Sequence, residues 1–203
     1  DIEKYVGMSY NASLLSSFDI PDFDDDNFFH HIEISDDGKI IFVLSGFNLA
    51  AIDISIPNQP SLISVKKIPY PTWYSSGTII ISDYFYSSSS KEHYVLTEKS
   101  LMVIPDEKLN DNSRQNWERD VNTKIVKEFI TDKFYTKISL SKDNKTAYLT
   151  HLSGLDILDI SAVQPYIIGS IENSKYLKNY WSRFSSHVLS IDEKKVYVAA
   201  GIS

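Results

Sequence analysis

The 203-residue chain contains no cysteine. That single absence removes disulfides, thiolate metal sites and cysteine nucleophiles together. It leaves the compartment open, because a large β-sheet core holds without the covalent staples that small secreted domains need. Basic residues are also in deficit, with 20 Lys and Arg against 27 Asp and Glu and a net charge of −7. A nucleic-acid binder needs a basic face to neutralise phosphates, so the balance argues against that class. No apolar run approaches the roughly 18 residues of a membrane-spanning segment. No GxSxG, HExxH or phosphate-binding glycine loop occurs either. The first residue is Asp1 rather than methionine, as expected of a mature or excised piece, so the lack of a visible signal peptide carries little weight.

What the chain has instead is a repeat. Residues 32–44 read IEISDDGKIIFVL, residues 138–150 ISLSKDNKTAYLT and residues 187–199 HVLSIDEKKVYVA. The first two are followed by LAAIDIS at 49–55 and LDILDIS at 155–161. Within each copy, short apolar strands flank a polar turn: Ser35 to Lys39, Lys142 to Lys145, Ile191 to Lys194. Gly38 suits the left-handed conformation of such a turn, and Asn144, standing in its place, is the expected substitute. Asp53 and Asp159, at the same point of their copies, are expected to cap turns rather than to act as catalytic carboxylates. A fainter copy runs through 77–86, 91–97, 99–104 and 125–130. It is stretched by the polar segment 105–124, which reads as a solvated loop insertion or a short helix.

Repeat starts near residues 34, 81, 140 and 189 give four short strands roughly every 50 residues, the rhythm of β-propeller blades. The expected fold is therefore all-β, a propeller of about four four-stranded antiparallel blades, occupying 1–203 as one domain or as part of a larger propeller. The last copy stops after two strands. Residues 4–11 and 13–20 read as the third and fourth strands of a blade. Either the chain is a fragment cut mid-blade at both ends, or its terminal halves pair and close a small ring.

The segments LAAIDISIPNQPSLISVKKI (49–68) and LDILDISAVQPYIIGSI (155–171) resemble LVIVD repeats. These are propeller repeats of extracellular and surface proteins in bacteria, archaea and some microbial eukaryotes. Asp53-Ile54-Ser55 and Asp159-Ile160-Ser161 carry the likeness, whereas the second copy has Pro105 in place of the Asp. The resemblance implies a propeller fold and an extracellular or cell-surface location. It brings no shared catalytic residues.

Four connections between successive blades hold adjacent aromatics: Phe28 and Phe29, Trp73 and Tyr74, Phe134 and Tyr135, Tyr180 and Trp181. Connections of this kind gather on one face of a propeller. Rigid aromatic side chains there suit a protein or glycan partner, or self-association, and they equally suit packing between blades. Asp22, Asp24, Asp26 and Glu33 occupy the first, third, fifth and twelfth positions of a calcium-loop pattern. Asn27 stands at the glycine position and Glu33 lies in a strand, so the reading is a solvated acidic turn with Ca²⁺ as its alternative. No other cofactor is implied. Asn11 and Asn144 begin glycosylation acceptor patterns. His30 and His31 point to opposite faces of a strand, and His93, His151 and His187 are scattered singly. The functional expectation is a non-enzymatic extracellular structural or interaction module. The alternative is an enzyme or small-ligand receptor with its site in the central channel of a larger propeller.

Overall fold

The computed structural model describes residues 17, 19–20, 29–73, 79–111, 127–172 and 182–202. Blade 1 is built from β1 (Phe29–Ile34), β2 (Ile40–Ser45), β3 (Asn48–Asp53) and β4 (Ser61–Lys67). Blade 2 comprises β5 (Ile81–Ser87), β6 (Glu92–Thr97), β7 (Ser100–Pro105) and β9 (Lys127–Ile130), with the two-residue β8 (Asn110–Asp111) lying between the last two in sequence. Blade 3 comprises β10 (Tyr135–Leu140), β11 (Thr146–His151), β12 (Gly154–Asp159) and β13 (Tyr166–Glu172). Blade 4 contributes β14 (Ser182–Leu189) and β15 (Val196–Ile202). Within each blade, neighbours in sequence pair antiparallel. Among the described residues, no helix is long and apolar enough to cross a membrane.

The 105–124 insertion is more ordered at its start than a solvated loop. It opens with one 3-10 turn, Asp106–Lys108, and then β8 leaves its own blade and pairs antiparallel with β4 of blade 1. Residues 112–126, the expected strand at 4–11 and, except for residues 17, 19 and 20, the expected strand at 13–20 lie outside the described residues.

The tight turns follow one device. Ser35 Oγ donates to Asp37 Oδ1 at 2.8 Å and accepts from the Ile40 N–H at 2.9 Å. Ser141 with Asp143 and Thr146, and Ser190 with Asp192 and Lys195, repeat that pair of bonds. The left-handed residue after each acidic position is Gly38 (φ 69°), Asn144 (φ 55°) or Glu193 (φ 57°), and Lys91 (φ 54°) serves in blade 2. Asp53 and Asp159 cap as expected, each accepting the N–H two residues on at 2.8 Å.

Apolar faces of successive blades press together. Phe42, Leu44 and Leu49 of blade 1 meet Tyr84, Val95, Met102 and Ile104 of blade 2. Leu96, Leu101 and Val103 of blade 2 meet Ile138, Leu149 and Leu158 of blade 3. Burial of this kind contributes about 25 cal/mol per Å² of apolar surface and is the main favourable term. At the two ends of the series, the outer faces stay open: Ile32 and Ile34 on blade 1, and Val188 and Tyr197 on blade 4, are exposed.

Candidate functional site

The first strand of each blade lies beside the first strand of the next, β1 against β5, β5 against β10 and β10 against β14. In a propeller, first strands of this kind face the central axis. All four carry a register shift at one point of the ladder: between Phe29 and His31, Ile81 and Asp83, Tyr135 and Lys137, and Phe184 and Ser186. A bulge inserts an extra residue and re-aims the side chains beside it, which is why bulges recur next to functional sites. The residues that follow the shift are His31, Asp83, Lys137 and Ser186. Four polar residues thus occupy the equivalent position of the four strands, and ion-pair distances join three of them, His31, Asp83 and Lys137.

Asp83 is the hub of this layer. Its carboxylate is almost enclosed, yet it meets groups from both flanking blades. His31 Nδ1 lies 3.4 Å from Oδ1. Lys137 Nζ lies 3.1 Å from Oδ2, and the Ile138 N–H donates to Oδ2 at 2.8 Å. A carboxylate taken out of water needs such partners to remain charged. His31 and Lys137 keep 22% and 40% of their side-chain surface, so the imidazole and ammonium are reachable where the carboxylate is not. Glu33, two residues beyond His31 on β1, has its pKa raised by burial; Lys137 opposes that shift and Asp83 adds to it. His187 on β14 is buried, with Nδ1 2.5 Å from Thr150 Oγ1. Burial, with the nearby Lys137 charge, lowers its pKa to about 4, so the ring is neutral at pH 7.

Two other polar clusters are saturated. Asp156 on β12 is fully buried. It accepts from Tyr135 Oη at 2.5 Å, Lys133 Nζ at 2.7 Å and Ser170 Oγ at 2.6 Å, and His151 Nε2 lies 3.6 Å away. Burial pushes its pKa up, and the bonds from His151, Lys133, Ser170 and Tyr135 outweigh that and hold it well below the usual carboxylate range. With its lone pairs taken, Asp156 locks the blade. On the outer side, His93 Nδ1 meets Tyr84 Oη at 2.8 Å, and Nε2 lies 3.3 Å from Asp106, which Lys66 also reaches at 3.0 Å. That trio ties the 3-10 turn to blade 1.

Of the aromatics singled out in the sequence, three have described side chains: Tyr135, Trp73 and Phe134. Tyr135 is enclosed between blades 2 and 3 with its hydroxyl on Asp156, so it offers no contact to a partner. Trp73 is half-buried: Nε1 donates to Ser100 Oγ at 3.0 Å, and Lys99 Nζ sits 5.1 Å from the ring centre. Phe134 is 41% exposed. Phe29 opens β1. Phe28, Tyr74, Tyr180, Trp181, Asn11, Asp22, Asp24 and Asp26 lie outside the described residues. Asn144 holds the left-handed turn position and donates through Nδ2 to Ser87 Oγ and Ser89 Oγ, both at 2.7 Å. A glycan on that nitrogen would replace one of its two hydrogens and so remove one of these bonds. Among the described residues, no group of three His, Asp or Glu is placed to hold a metal ion.

The polar layer escaped the sequence reading because its members differ in type. One signal was available: His31, Asp83, Lys137 and Ser186 each stand four residues before a serine, Ser35, Ser87, Ser141 and Ser190.

No family model matches the chain, and no curated protein does. Solved structures do. One from Bacteroides uniformis, provisionally described as a 6-phosphogluconolactonase, superposes with a TM-score of 0.54 at 15% identity. The match covers 85% of this chain and 47% of that one. A second of the same description, from Bacteroides fragilis, gives 0.51 at 13% identity over 85% of this chain and 48% of that one. The Cps50 (Swd1) β-propeller domain of Myceliophteria thermophila gives 0.51 at 10% identity, over 85% of this chain and 67% of that one. The chain thus spans less than half the length of the two Bacteroides proteins. These likenesses correct the expectation of a non-enzymatic module. Propellers described as lactonases share this fold, and the first strands here carry a His–Asp–Lys cluster rather than apolar packing alone. At these identities the likeness extends to architecture only: the chain has an all-β, β-propeller fold of four-stranded antiparallel blades.

Proposed function

We propose that the chain supplies part of the wall of a small-molecule site in a propeller channel, and that this site hydrolyses a lactone or a related ester. The observation that carries the reading is the Asp83 carboxylate, shielded from water and held between the imidazole of His31 and the ammonium of Lys137. An imidazole oriented by a carboxylate is the arrangement of a general base that takes a proton from attacking water. An ammonium beside it stabilises the oxyanion that develops on the carbonyl oxygen. The lactonase descriptions of two similar structures support that choice of reaction class. A receptor without turnover is the second reading, favoured by the Ile138 N–H bond that commits Asp83 to the architecture.

The two readings separate in one assay. The full-length protein is offered a panel of small lactones and aryl esters. Turnover is expected, and Asp83→Asn should lower kcat by about 100-fold or more, the usual contribution of a general base and its orienting group. Binding of a lactone without hydrolysis leaves the receptor. Neither binding nor hydrolysis rejects the channel site. The kinship with LVIVD repeats, and the extracellular or surface location that goes with it, are part of the same proposal. The matching caps at Asp53 and Asp159 support it, and detection of the native protein in a surface fraction tests it.

A further inference from the structure

The outermost strands of the three four-stranded blades meet solvent on different terms. β4 of blade 1 ends in Lys66 and Lys67, and β8 covers its edge at those two residues. β9 of blade 2 is four residues long and begins with Lys127 and Glu128. Brevity, lysine and a covering segment are the usual means by which a sheet edge avoids pairing with another chain. β13 of blade 3 has none of the three. It runs seven residues as YIIGSIE, and among the described residues its one strand partner is β12. From Ser161 to Ile171 no residue is charged. Tyr166, Ile167 and Ile168 on the strand, and Val163 just before it, are exposed. β15 also ends its sheet among the described residues, but its equivalents β2, β6 and β11 are inner strands paired on both sides.

Blade 1 shows that this edge accepts a strand. Lys66 and Lys67, where β8 pairs, stand opposite the start of β3, as Ile171 and Glu172 stand opposite the start of β12. Both outer strands bulge at their third residue, Ile63 in β4 and Ile168 in β13, and both isoleucines are 54% exposed. A bulge often turns an edge away from pairing, yet β8 adds to β4 just beyond one. The charge pattern selects the occupant. At a net charge of −7, two copies repel over most of their surfaces, and the uncharged run through β13 is free of that repulsion. An antiparallel strand pair is two-fold symmetric, so a strand edge complements the same edge of a second copy, the isologous geometry of most dimers. Centred on Gly169, such a pair sets the two Glu172 side chains about 20 Å apart, well beyond the screening length. We propose that β13 is a dimerisation edge, pairing antiparallel with β13 of a second copy and continuing the blade 3 sheet across both. The pairing is independent of the channel site and its chemistry.

Sedimentation velocity on the full-length protein over a range of concentrations tests it. One strand edge buries less than a standard interface, so a dimer with micromolar dissociation is expected. Ile168→Lys should weaken that dimer by about tenfold or more, since a charged side chain on an edge opposes pairing. Ile63→Lys, at the same place on the covered edge of blade 1, should leave it unchanged. Both side chains are half in solvent, so neither substitution threatens the fold, and circular dichroism checks this. Hydrogen exchange locates the contact: amides of β13 should slow as concentration rises, while those of β9 and β15 should not. Equal weakening by the two variants, or protection that falls on β15 instead, overturns the proposal. So does a protein that stays monomeric throughout, which would leave this edge to a strand of a different protein.

Discussion

His187 shows how one buried side chain fixes a pH response. Its folded pKa of about 4 lies below the ordinary 6.5, because burial, aided by Lys137, disfavours the imidazolium. As pH falls below 6.5 the unfolded chain takes up a proton that the folded chain refuses, so stability drops. Below pH 4 both states are protonated and the loss stops growing. At 5% exposure the shift needs little discount for solvent, and its full span corresponds to about 3 kcal/mol. His93, also lowered by burial against the opposing pull of Asp106, adds in the same direction. The carboxylates act elsewhere. Asp106 and Asp156 are both held well below their ordinary 3.8, so their contribution is present above about pH 4 and lost only in stronger acid. Urea denaturation at pH 7, 5.5 and 4.5 should therefore show stability falling with pH in the wild type. In His187→Gln the fall should be shallower, by about 2 kcal/mol over that interval. Parallel curves would show that His187 is not the group refusing the proton.

At the scale of the strand and turn, two glycines answer to different demands. Gly38 sits at φ 69° with nothing within 4 Å of where a Cβ would stand, so its requirement is conformational. Gly154 opens β12, and a Cβ there would fall 2.1 Å from the carbonyl oxygen of Ile171 on β13, so its requirement is space. Gly38→Ala should cost about 1 kcal/mol, the penalty of a left-handed L-residue. Gly154→Ala should cost more than about 3 kcal/mol, since the clash is with backbone of the paired strand. Equal losses by thermal unfolding would refute that division. The same contrast explains what the sequence discloses. Gly38, Asn144 and Glu193 announce their turns because the repeat aligns them, and Asp53 and Asp159 announce their caps for the same reason. Strand order and register follow from those turns. Gly154 gave no such notice, since its demand comes from a neighbouring strand. Nor did Asp83, whose partners are supplied by β1 and β10, some 50 residues away on either side. Tyr135 takes the packing alternative that the sequence left open, enclosed between blades with its hydroxyl on Asp156, a carboxylate whose position only the fold discloses.

Across the whole molecule, cohesion passes from each blade to the next. The two large apolar clusters each join one pair of blades, so stability approximates a chain of nearest-neighbour terms, as in other repeat architectures. The excursion after β7 breaks that simplicity. Leu109, in a segment that the sequence presents as loop, is buried in the core between blades 1 and 2. Asp106 bonds to Lys66 on β4 and to His93 on β6, and β8 extends the edge of blade 1. The excursion therefore acts as a strap that reinforces one interface and not the other. Leu109→Ala should cost about 2–3 kcal/mol, as a buried leucine does when it leaves a partly collapsed cavity. A solvated-loop leucine would cost almost nothing. The location of the effect is the sharper test. Native-state hydrogen exchange should lose protection in β2, β3, β6 and β7, while β11 and β12 keep theirs, because partial openings follow cooperative units rather than the whole chain. A uniform loss across all three blades would mean that the blades unfold as one body, and that the strap has no interface of its own to hold.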